Sequence, residues 1–318
     1  MSRSRVPTAA DFYFSETPRN PGDSERLERD FFGTIQQSNG TFKYTRDNRL
    51  ADLDELVAGL LPPPRPLRIM DVAVSSGIST LEWSRMLDRL GIEHKITAGD
   101  LSLIAYLIEF PGGLKALVDK QGYPLQYDLW GHAVPNPPRR RILPLVAPGI
   151  ALCRLGLALA FRSARAATGP AHGDRCKVGR LVGVRAVRLV SPRLLAHEEI
   201  EVTEDDILHD VPALRGQFHV VRAANILNRD YFSDETLIRM VSNLRNRLVE
   251  GGLLIVCTTT GDLDRSHRSR VSNDGTVFSL RKEGHLEAVA RLGAGLAVED
   301  IVLHATREPT QGSPASDR

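Results

Sequence analysis

The sequence predicts an open α/β sheet with helices on both faces, because short apolar runs alternate with helical patterns along much of the chain. The clearest unit starts with the apolar run 67–74. It continues with a helix from Ser79 to Leu90, which Gly91 closes, and ends with a strand at 94–99. A strand, a tight turn, a helix and a second strand form a βαβ unit, whose crossover we expect to be right-handed and parallel.

The alternation resumes after residue 199, where short apolar runs again precede helical patterns. A capping box of Ser79 and Glu82 begins the first helix, and Ser233 caps the last clear one. The further elements predicted in this part are strands at Ile200–Val202, Phe218–Val221 and Leu253–Cys257, a turn at Asn273–Gly275, a strand at Val277–Leu280, a helix over Leu286–Leu292 and a strand at Val298–Leu303.

Composition limits the class of protein. The 318 residues are 42% apolar and 25% charged, which excludes wholesale disorder, and a net charge of only +2 argues against bulk electrostatic binding of nucleic acid. Three widely separated cysteines without a CxxC pair argue against a disulfide framework and a structural zinc site. The first residues are polar, so we expect no secretory signal and a cytoplasmic location.

Proline-rich and polar stretches indicate the domain organisation. Residues 1–66 form an N-terminal extension with helices, the last of which ends at the prolines of 62–66. Residues 67–306 form the main domain, with an insertion at about 111–195, and we expect residues 307–318 to be a disordered tail.

The turn after the first strand indicates which ligand such a sheet would take. Ligands of open α/β sheets lie beyond the carboxyl ends of the strands. A dinucleotide motif G-x-G-x-x-G would let backbone N–H groups approach a pyrophosphate. Here Ala73 and Ser75 occupy the first two glycine places and Gly77 keeps the third. A pyrophosphate against this turn is therefore disfavoured.

At this turn the chain resembles the class I S-adenosylmethionine-dependent methyltransferases. Asp71, Ala73, Ser75 and Gly77 fall on the spacing of the family's acidic residue followed by G-x-G-x-G. The resemblance continues in Phe218–Val221, which is similar to the family's fourth strand, and in the passage Leu248–Leu254 before its fifth. It covers Leu67–Leu101 and Ile200–Leu303. The chain departs from the family pattern at His219, where an aspartate is common, and at the two lost glycines.

The resemblance implies a Rossmann-like three-layer sandwich with a mostly parallel seven-stranded sheet and a large, mainly helical insertion between strands two and three. It implies methyl transfer from S-adenosyl-L-methionine to an acceptor that the sequence does not identify. Small-molecule, lipid, sugar and protein acceptors stay open, and we favour a small-molecule or lipid-linked one. Asp100 would hold the ribose hydroxyls and Asp206 would accept from the adenine amino group. The cofactor-binding residues that it indicates are Asp71, Ala73, Ser75, Gly77, Asp100, Asp206, Ile207 and Ala223.

The sequence indicates the catalytic residues less clearly than the cofactor-binding residues. A sulfonium methyl is already activated, so the chain needs a general base only for a protonated acceptor, and no metal. Candidates after the strands are Asn225, Asn228, Tyr231 and His209. Each has a structural explanation as well: turn chemistry for the asparagines, helix packing for Tyr231 and plain loop exposure for His209. A non-catalytic module that binds a nucleoside ligand or a partner, and an NAD-binding enzyme, are the alternatives.

The insertion between the second and third strands has a composition of its own. We predict a helix at Leu101–Phe110, followed by a basic stretch from Pro138 to Arg193 with twelve Arg and Lys residues and one Asp, a net charge of +11. Its apolar core at Ile142–Phe161 is long enough for a membrane helix but contains two prolines and Arg154. The three interpretations are a helical lid, a peripheral membrane contact through Arg139–Arg165, and nucleic-acid contact, which the lack of aromatic residues disfavours.

Overall fold

Two β-sheets organise the protein in the computed structural model, which describes residues 6–15, 20–38, 40, 42–43, 48–61, 66–138, 140, 142–167, 175–178, 182–261, 271–280 and 286–292. The chain divides into two compact units. Unit 1 comprises Met1–Arg46 and Ser102–Ser191, and unit 2 comprises Asp47–Leu101 and Pro192–Arg318. These boundaries differ from the predicted domains, because the predicted N-terminal extension is shared between the units. The predicted tail at 307–318 lies outside the described residues.

The helices are α1 (Ala9–Phe14), α2 (Pro21–Phe32), α3 (Ala51–Ala58), α4 (Ile78–Arg89), α5 (Leu143–Ala167), α6 (Pro192–Leu195) and α7 (Asp234–Arg247). The strands are β1 (Leu67–Val72), β2 (His94–Asp100), β3 (Ile104–Glu109), β4 (Leu114–Asp119), β5 (Pro124–Leu129), β6 (His132–Pro135), β7 (Arg175–Val178), β8 (Val182–Arg188), β9 (Ile200–Glu204), β10 (Phe218–Ala224), β11 (Leu248–Gly261), β12 (Val271–Leu280) and β13 (Leu286–Leu292).

Unit 2 contains a seven-stranded sheet in the order β13-β12-β11-β10-β1-β2-β9. The pairings from β9 through β11 are parallel, as the βαβ pattern predicts. The pairings of β12 with β11 and with β13 are antiparallel. The sheet is therefore α/β but mixed, and the prediction of a mostly parallel sheet is wrong, because the last two described strands each pair antiparallel with the strand that precedes them in the chain.

The antiparallel edge also corrects two local predictions. The predicted turn at Asn273–Gly275 lies inside β12, where Gly275 pairs with Cys257. A Cβ at position 275 would lie 2.5 Å from the carbonyl oxygen of Val256, so this glycine permits close strand approach. The predicted helix at 286–292 is β13, which pairs along β12. The predicted strand at 298–303 lies outside the described residues.

The first crossover of unit 2 forms as predicted, with one difference at the start of its helix. α4 begins after Gly77 and has no side-chain cap, so the predicted capping box is wrong. Glu82 instead accepts a hydrogen bond from the backbone N–H of Asn48, at 2.7 Å. Gly91 follows the helix with a φ of +67°, which confirms the predicted left-handed end. Ser233 caps α7 as predicted.

Unit 1 contains a six-stranded antiparallel sheet in the order β6-β5-β4-β3-β8-β7. One face packs on α5 through residues such as Ile108 and Cys153, and the other packs on α1 and α2 through Leu107 and Phe31. The segment between β2 and β9 is thus mainly β-structure, and the predicted mainly helical insertion is wrong. The predicted helix at Leu101–Phe110 is strand β3. Both faces of β3 are buried, so its apolar run shows no alternation.

The apolar run of the basic stretch is helical, as α5. This 25-residue helix contains Pro148 within it. Among the described residues, no helix meets the length and hydropathy that a membrane span requires.

A buried ion cluster joins α3 to the two central strands of unit 2. Arg222 of β10, only 1% exposed, lies opposite Asp71 of β1 in the parallel register. Its Nε donates to Asp71 Oδ1 at 3.0 Å, and its Nη1 donates to Asp54 Oδ1 of α3 at 2.8 Å. The guanidinium also lies 4.0 Å from the ring centroid of Trp83, and Thr80 donates to Asp71 at 2.7 Å. One cation thus holds two carboxylates in the interior.

Asp54 and Asp71 share the Arg222 guanidinium, and ionisation of Asp54 is opposed by its burial. Burial raises the pKa of Asp54, the Arg222 guanidinium lowers it and the Asp71 carboxylate raises it, and together these effects bring the pKa to about 7. Asp54 therefore keeps its proton in the folded protein until near neutral pH, whereas in the unfolded chain it ionises near its ordinary value of 3.8.

We predict that this carboxyl makes stability fall as the pH rises. Between about pH 4 and pH 7 the unfolded chain has lost the Asp54 proton and the folded chain has kept it. The free energy of unfolding should therefore decrease by up to about 1.4 kcal/mol per pH unit. Asp54→Asn removes this slope in urea denaturation at several pH values. Asp52→Asn, on the exposed side of the same helix, keeps it. An unchanged slope in Asp54→Asn contradicts the assignment.

Candidate functional site

The turn between β1 and α4 repeats a left-handed backbone conformation at every second residue. Ala73 has a φ of +56°, Ser75 of +59° and Gly77 of +81°. A residue with a Cβ pays about 1–2 kcal/mol for this conformation, and glycine does not. At the three places where the resembled motif has glycines, the turn therefore has the positive φ that favours glycine, although two of the three residues are not glycine. That backbone persists at a cost in strain.

The turn is hydrogen-bonded to the end of the neighbouring strand β2. The backbone N–H of Ser75 donates to Asp100 Oδ2 at 2.8 Å, and that of Val74 donates to the carbonyl of Gly99 at 3.2 Å. Asp100 is buried. The Oγ atoms of Ser75 and Ser76 are shielded from solvent and make no hydrogen bond with any described residue. Unsatisfied hydroxyl groups beside a buried carboxylate are suited to the polar groups of a ligand.

Two adjacent acidic residues follow β9, and they have different surroundings. Asp205 makes two hydrogen bonds with the buried Arg247 of α7, at 2.6 and 3.0 Å, and its N–H donates to the carbonyl of Asp100. Asp206 accepts from the backbone N–H of Leu208 at 3.0 Å and lies 3.0 Å from Nδ1 of His209. Asp205 therefore ties α7 to the strand end, and the half-exposed Asp206 is the carboxylate that a ligand can reach.

Apolar residues accompany these carboxylates. Ile207 is buried, and its carbonyl accepts from Asn243 Nδ2 of α7 at 3.0 Å. Ala223, near the end of β10, is fully buried within the central strands. Both residues therefore shape the ends of their strands through packing.

The four candidate catalytic residues lie after β9 and β10 and are mostly in structural roles or in solvent. Asn225, with a φ of +62°, donates through Nδ2 to Thr259 Oγ1 at 3.0 Å and accepts through Oδ1 from the N–H of Thr259. Asn228 accepts from the N–H of Asp230 in a turn. Tyr231 and His209 are exposed. Asn228 thus has the turn chemistry that its sequence context indicates, whereas Asn225 links the end of β10 to β11.

Asp71 is the sequence-predicted residue whose surroundings differ most from a ligand contact. Both of its oxygens accept from Arg222, and Oδ2 also accepts from Thr80. Sequence reasoning missed Arg222, Asp54 and the Arg247–Asp205 pair. The available signal was an arginine within the otherwise apolar run of β10, since a buried charge requires a partner.

Neither metal nor thiol chemistry is evident among the described residues. No group of three or more His, Cys, Asp or Glu side chains there is arranged to hold a metal ion. Burial raises the pKa of the Cys153 thiol to about 11 and that of Cys257 to about 12, so both remain neutral at physiological pH.

Comparisons with known proteins agree with the sequence resemblance, at low similarity. No family model and no curated protein matches the chain. Among solved structures, it is similar to the citrinin polyketide synthase CMeT domain at 14% identity and a TM-score of 0.35, covering 77% of this chain and 41% of that one. It is also similar to SAM-bound CalS10, an amino pentose methyltransferase from Micromonospora echinaspora, at 10% identity and a TM-score of 0.34, covering 92% and 90%.

A third similar structure is the trans-methyltransferase CalH in complex with SAH, at 16% identity and a TM-score of 0.30, covering 66% of this chain and 36% of that one. The chain thus spans less than half of the CMeT and CalH chains. At these TM-scores, activity has to be inferred from the site itself.

Because the left-handed conformation of Ala73 is unfavourable for a residue with a Cβ, we predict that Ala73→Gly stabilises the protein. Removing the backbone strain at this position stabilises the folded state by about 1–2 kcal/mol. The greater flexibility of glycine stabilises the unfolded chain by only about 0.5–1 kcal/mol. The free energy of unfolding should therefore rise by roughly 0.5–1 kcal/mol in urea denaturation. Ala98→Gly, in the regular part of β2, should lower it. A destabilised Ala73→Gly protein would show that the turn is not strained.

Gly77 combines the same conformation with a close neighbour. A Cβ there would lie 2.4 Å from Cδ2 of Leu194, whereas one at Gly91 would meet nothing within 4 Å. Since both glycines have positive φ, Gly91→Ala measures the backbone cost alone, about 1 kcal/mol, and Gly77→Ala adds overpacking of about 1–3 kcal/mol. Equal losses of stability for the two variants, measured by chemical denaturation, would refute this packing.

Proposed function

We propose that unit 2 binds S-adenosyl-L-methionine at the turn between β1 and α4 and transfers its methyl group to an acceptor. The observation that carries this proposal is the alternating left-handed turn at 73–77, hydrogen-bonded to Asp100 at the end of the next parallel strand. In open α/β sheets this place, at the carboxyl ends of the central strands, is where ligands bind.

The residues present fit this cofactor better than a dinucleotide. S-adenosylmethionine has ribose hydroxyls and no phosphate, so it does not require bare backbone at positions 73 and 75. Asp100 can accept from the ribose hydroxyls, and the Ser75 and Ser76 hydroxyls, which lack partners among the described residues, can bond further polar groups. Asp206, half exposed beside the buried Ile207, is suited to the adenine amino group.

The chain's own contribution to the reaction is mainly positioning. The cofactor supplies an activated methyl group when it is bound, and holding donor and acceptor close contributes on the order of 7–11 kcal/mol in favourable cases. Asn225 keeps the end of β10 attached to β11 and acts by support rather than by proton transfer. His209 and Tyr231 are the exposed candidates to contact an acceptor, for which a small or lipid-linked molecule suits best.

A second candidate function is nucleoside binding without catalysis. It is favoured because Asn225 and Asn228 make structural hydrogen bonds, and because the one candidate with a basic nitrogen, His209, is exposed. Calorimetry with S-adenosylmethionine, S-adenosylhomocysteine and NAD separates the classes of ligand. Release of S-adenosylhomocysteine in the presence of acceptor extracts then separates the enzyme from the binding module. Preference for NAD would overturn the proposal. The cytoplasmic location stays a prediction.

We predict that Asp100→Asn weakens S-adenosylmethionine binding by about tenfold or more, since hydrogen bonds to a charged group contribute roughly 1.5–3 kcal/mol. Calorimetric Kd values measure this. Asp88→Asn is the matched control, because Asp88 is an exposed carboxylate at the other end of α4, near the start of β2. The ribose assignment fails if Asp100→Asn binds as tightly as the control while its thermal unfolding shows an intact fold.

A further inference from the structure

Helix α5 of unit 1 is apolar on two opposite sides, and the sheet covers only one of them. Ile150, Cys153 and Leu157 are buried against the strands. Three leucines on the opposite side stay in solvent: Leu145 is 83% exposed, Leu152 56% and Leu155 60%. With 3.6 residues per turn, these three positions fall on one side of the helix. We call this side the leucine face.

The stretch of sequence that contains α5 is positively charged. From Leu129 to Gly173 the sequence contains six arginines and no Asp or Glu. The structure gives the side-chain exposure of two of these arginines, Arg140 and Arg154, and both are exposed. Arg154 donates through Nε to the hydroxyl of Tyr127 at 3.2 Å, which fixes its guanidinium beside the helix. Helices that lie in the plane of a membrane surface combine exposed apolar residues with arginines and lysines, and α5 contains both exposed leucines and arginines.

An exposed aromatic residue belongs to the same part of unit 1. Gly149 of α5 lies close to the side chain of Leu129, since a Cβ at position 149 would be 3.0 Å from Leu129 Cδ1. The next residue, Trp130, is 65% exposed. Tryptophan is enriched where protein meets the headgroup region of a bilayer.

We propose that the leucine face docks on the surface of an anionic lipid bilayer. Burial of the leucines in the interface supplies the apolar part of the binding, and the arginines of 139–165 supply the attraction to negative headgroups. Charge complementarity selects this occupant. A second copy would bring the same positive segment against itself, and base stacking on RNA would require aromatic residues, which the leucine face lacks. This inference is independent of methyl transfer.

The experiment is flotation of the full-length protein with phosphatidylcholine vesicles, with and without phosphatidylserine. We expect binding only to vesicles that contain phosphatidylserine, and weaker binding as the salt rises from about 0.1 M to about 1 M. Leu145→Glu and Leu152→Glu should each reduce partitioning by about tenfold or more, because each removes a leucine from the interface and adds a negative charge.

Leu90→Glu is the control for the added charge, because Leu90 is an exposed leucine of unit 2. It should bind as the unchanged protein does, and urea denaturation should show that all variants are folded, since the substituted side chains are in solvent. The proposal is overturned if the protein does not bind vesicles that contain phosphatidylserine, or if Leu90→Glu loses as much binding as the α5 variants do. It is also overturned if salt abolishes binding but the leucine variants bind as strongly as the unchanged protein. It is also overturned if the protein is a dimer that Leu152→Glu dissociates.

Discussion

The pairing of Arg222 with Asp71 is the contact on which the rest of unit 2 depends. It lies between the two central strands, β1 and β10, and it extends through Asp54 to α3 and through Trp83 to α4. Asp71 is followed directly by Val72 and by the left-handed turn. A buried cation with two carboxylates therefore anchors the strand from which the candidate site begins, and removal of one partner would leave an uncompensated charge in the interior.

Local signals in the sequence predicted the parts of the fold that local interactions form. The βαβ unit of β1, α4 and β2, the Ser233 cap and the Gly91 helix end are each confirmed. Unit 1 was misread because β3 is buried on both faces, so its residues show no alternation. The predicted turn at the antiparallel edge of the sheet in unit 2 was also wrong, because contacts distant in sequence decide the structure there. The residues Asn273–Gly275 have the sequence of a turn. Gly275 instead lies in β12, where the carbonyl oxygen of Val256 on the neighbouring strand leaves no room for a Cβ.

The candidate site was predictable in position and less so in detail. The family resemblance assigns the turn at Ala73–Gly77 and the carboxylate Asp100 to one site, and the structure joins them by the hydrogen bond from Ser75 to Asp100. Spacing did not show that Asp71 is committed to Arg222, because the two residues are 151 positions apart. Nor did it show that Asp205, and not Asp206, pairs with Arg247. Such pairings depend on tertiary packing, which sequence patterns do not encode.

The order of the two units along the chain has a consequence during synthesis on the ribosome. β1 and β2 of unit 2 are made before β3–β8 of unit 1, and the parallel partners β9 and β10 follow only afterwards. At about 5–20 residues per second, Asp71 waits roughly 8–30 s for Arg222 to be translated. The nascent chain therefore completes unit 1 first, while the two early strands of unit 2 have open edges that chaperones can shield.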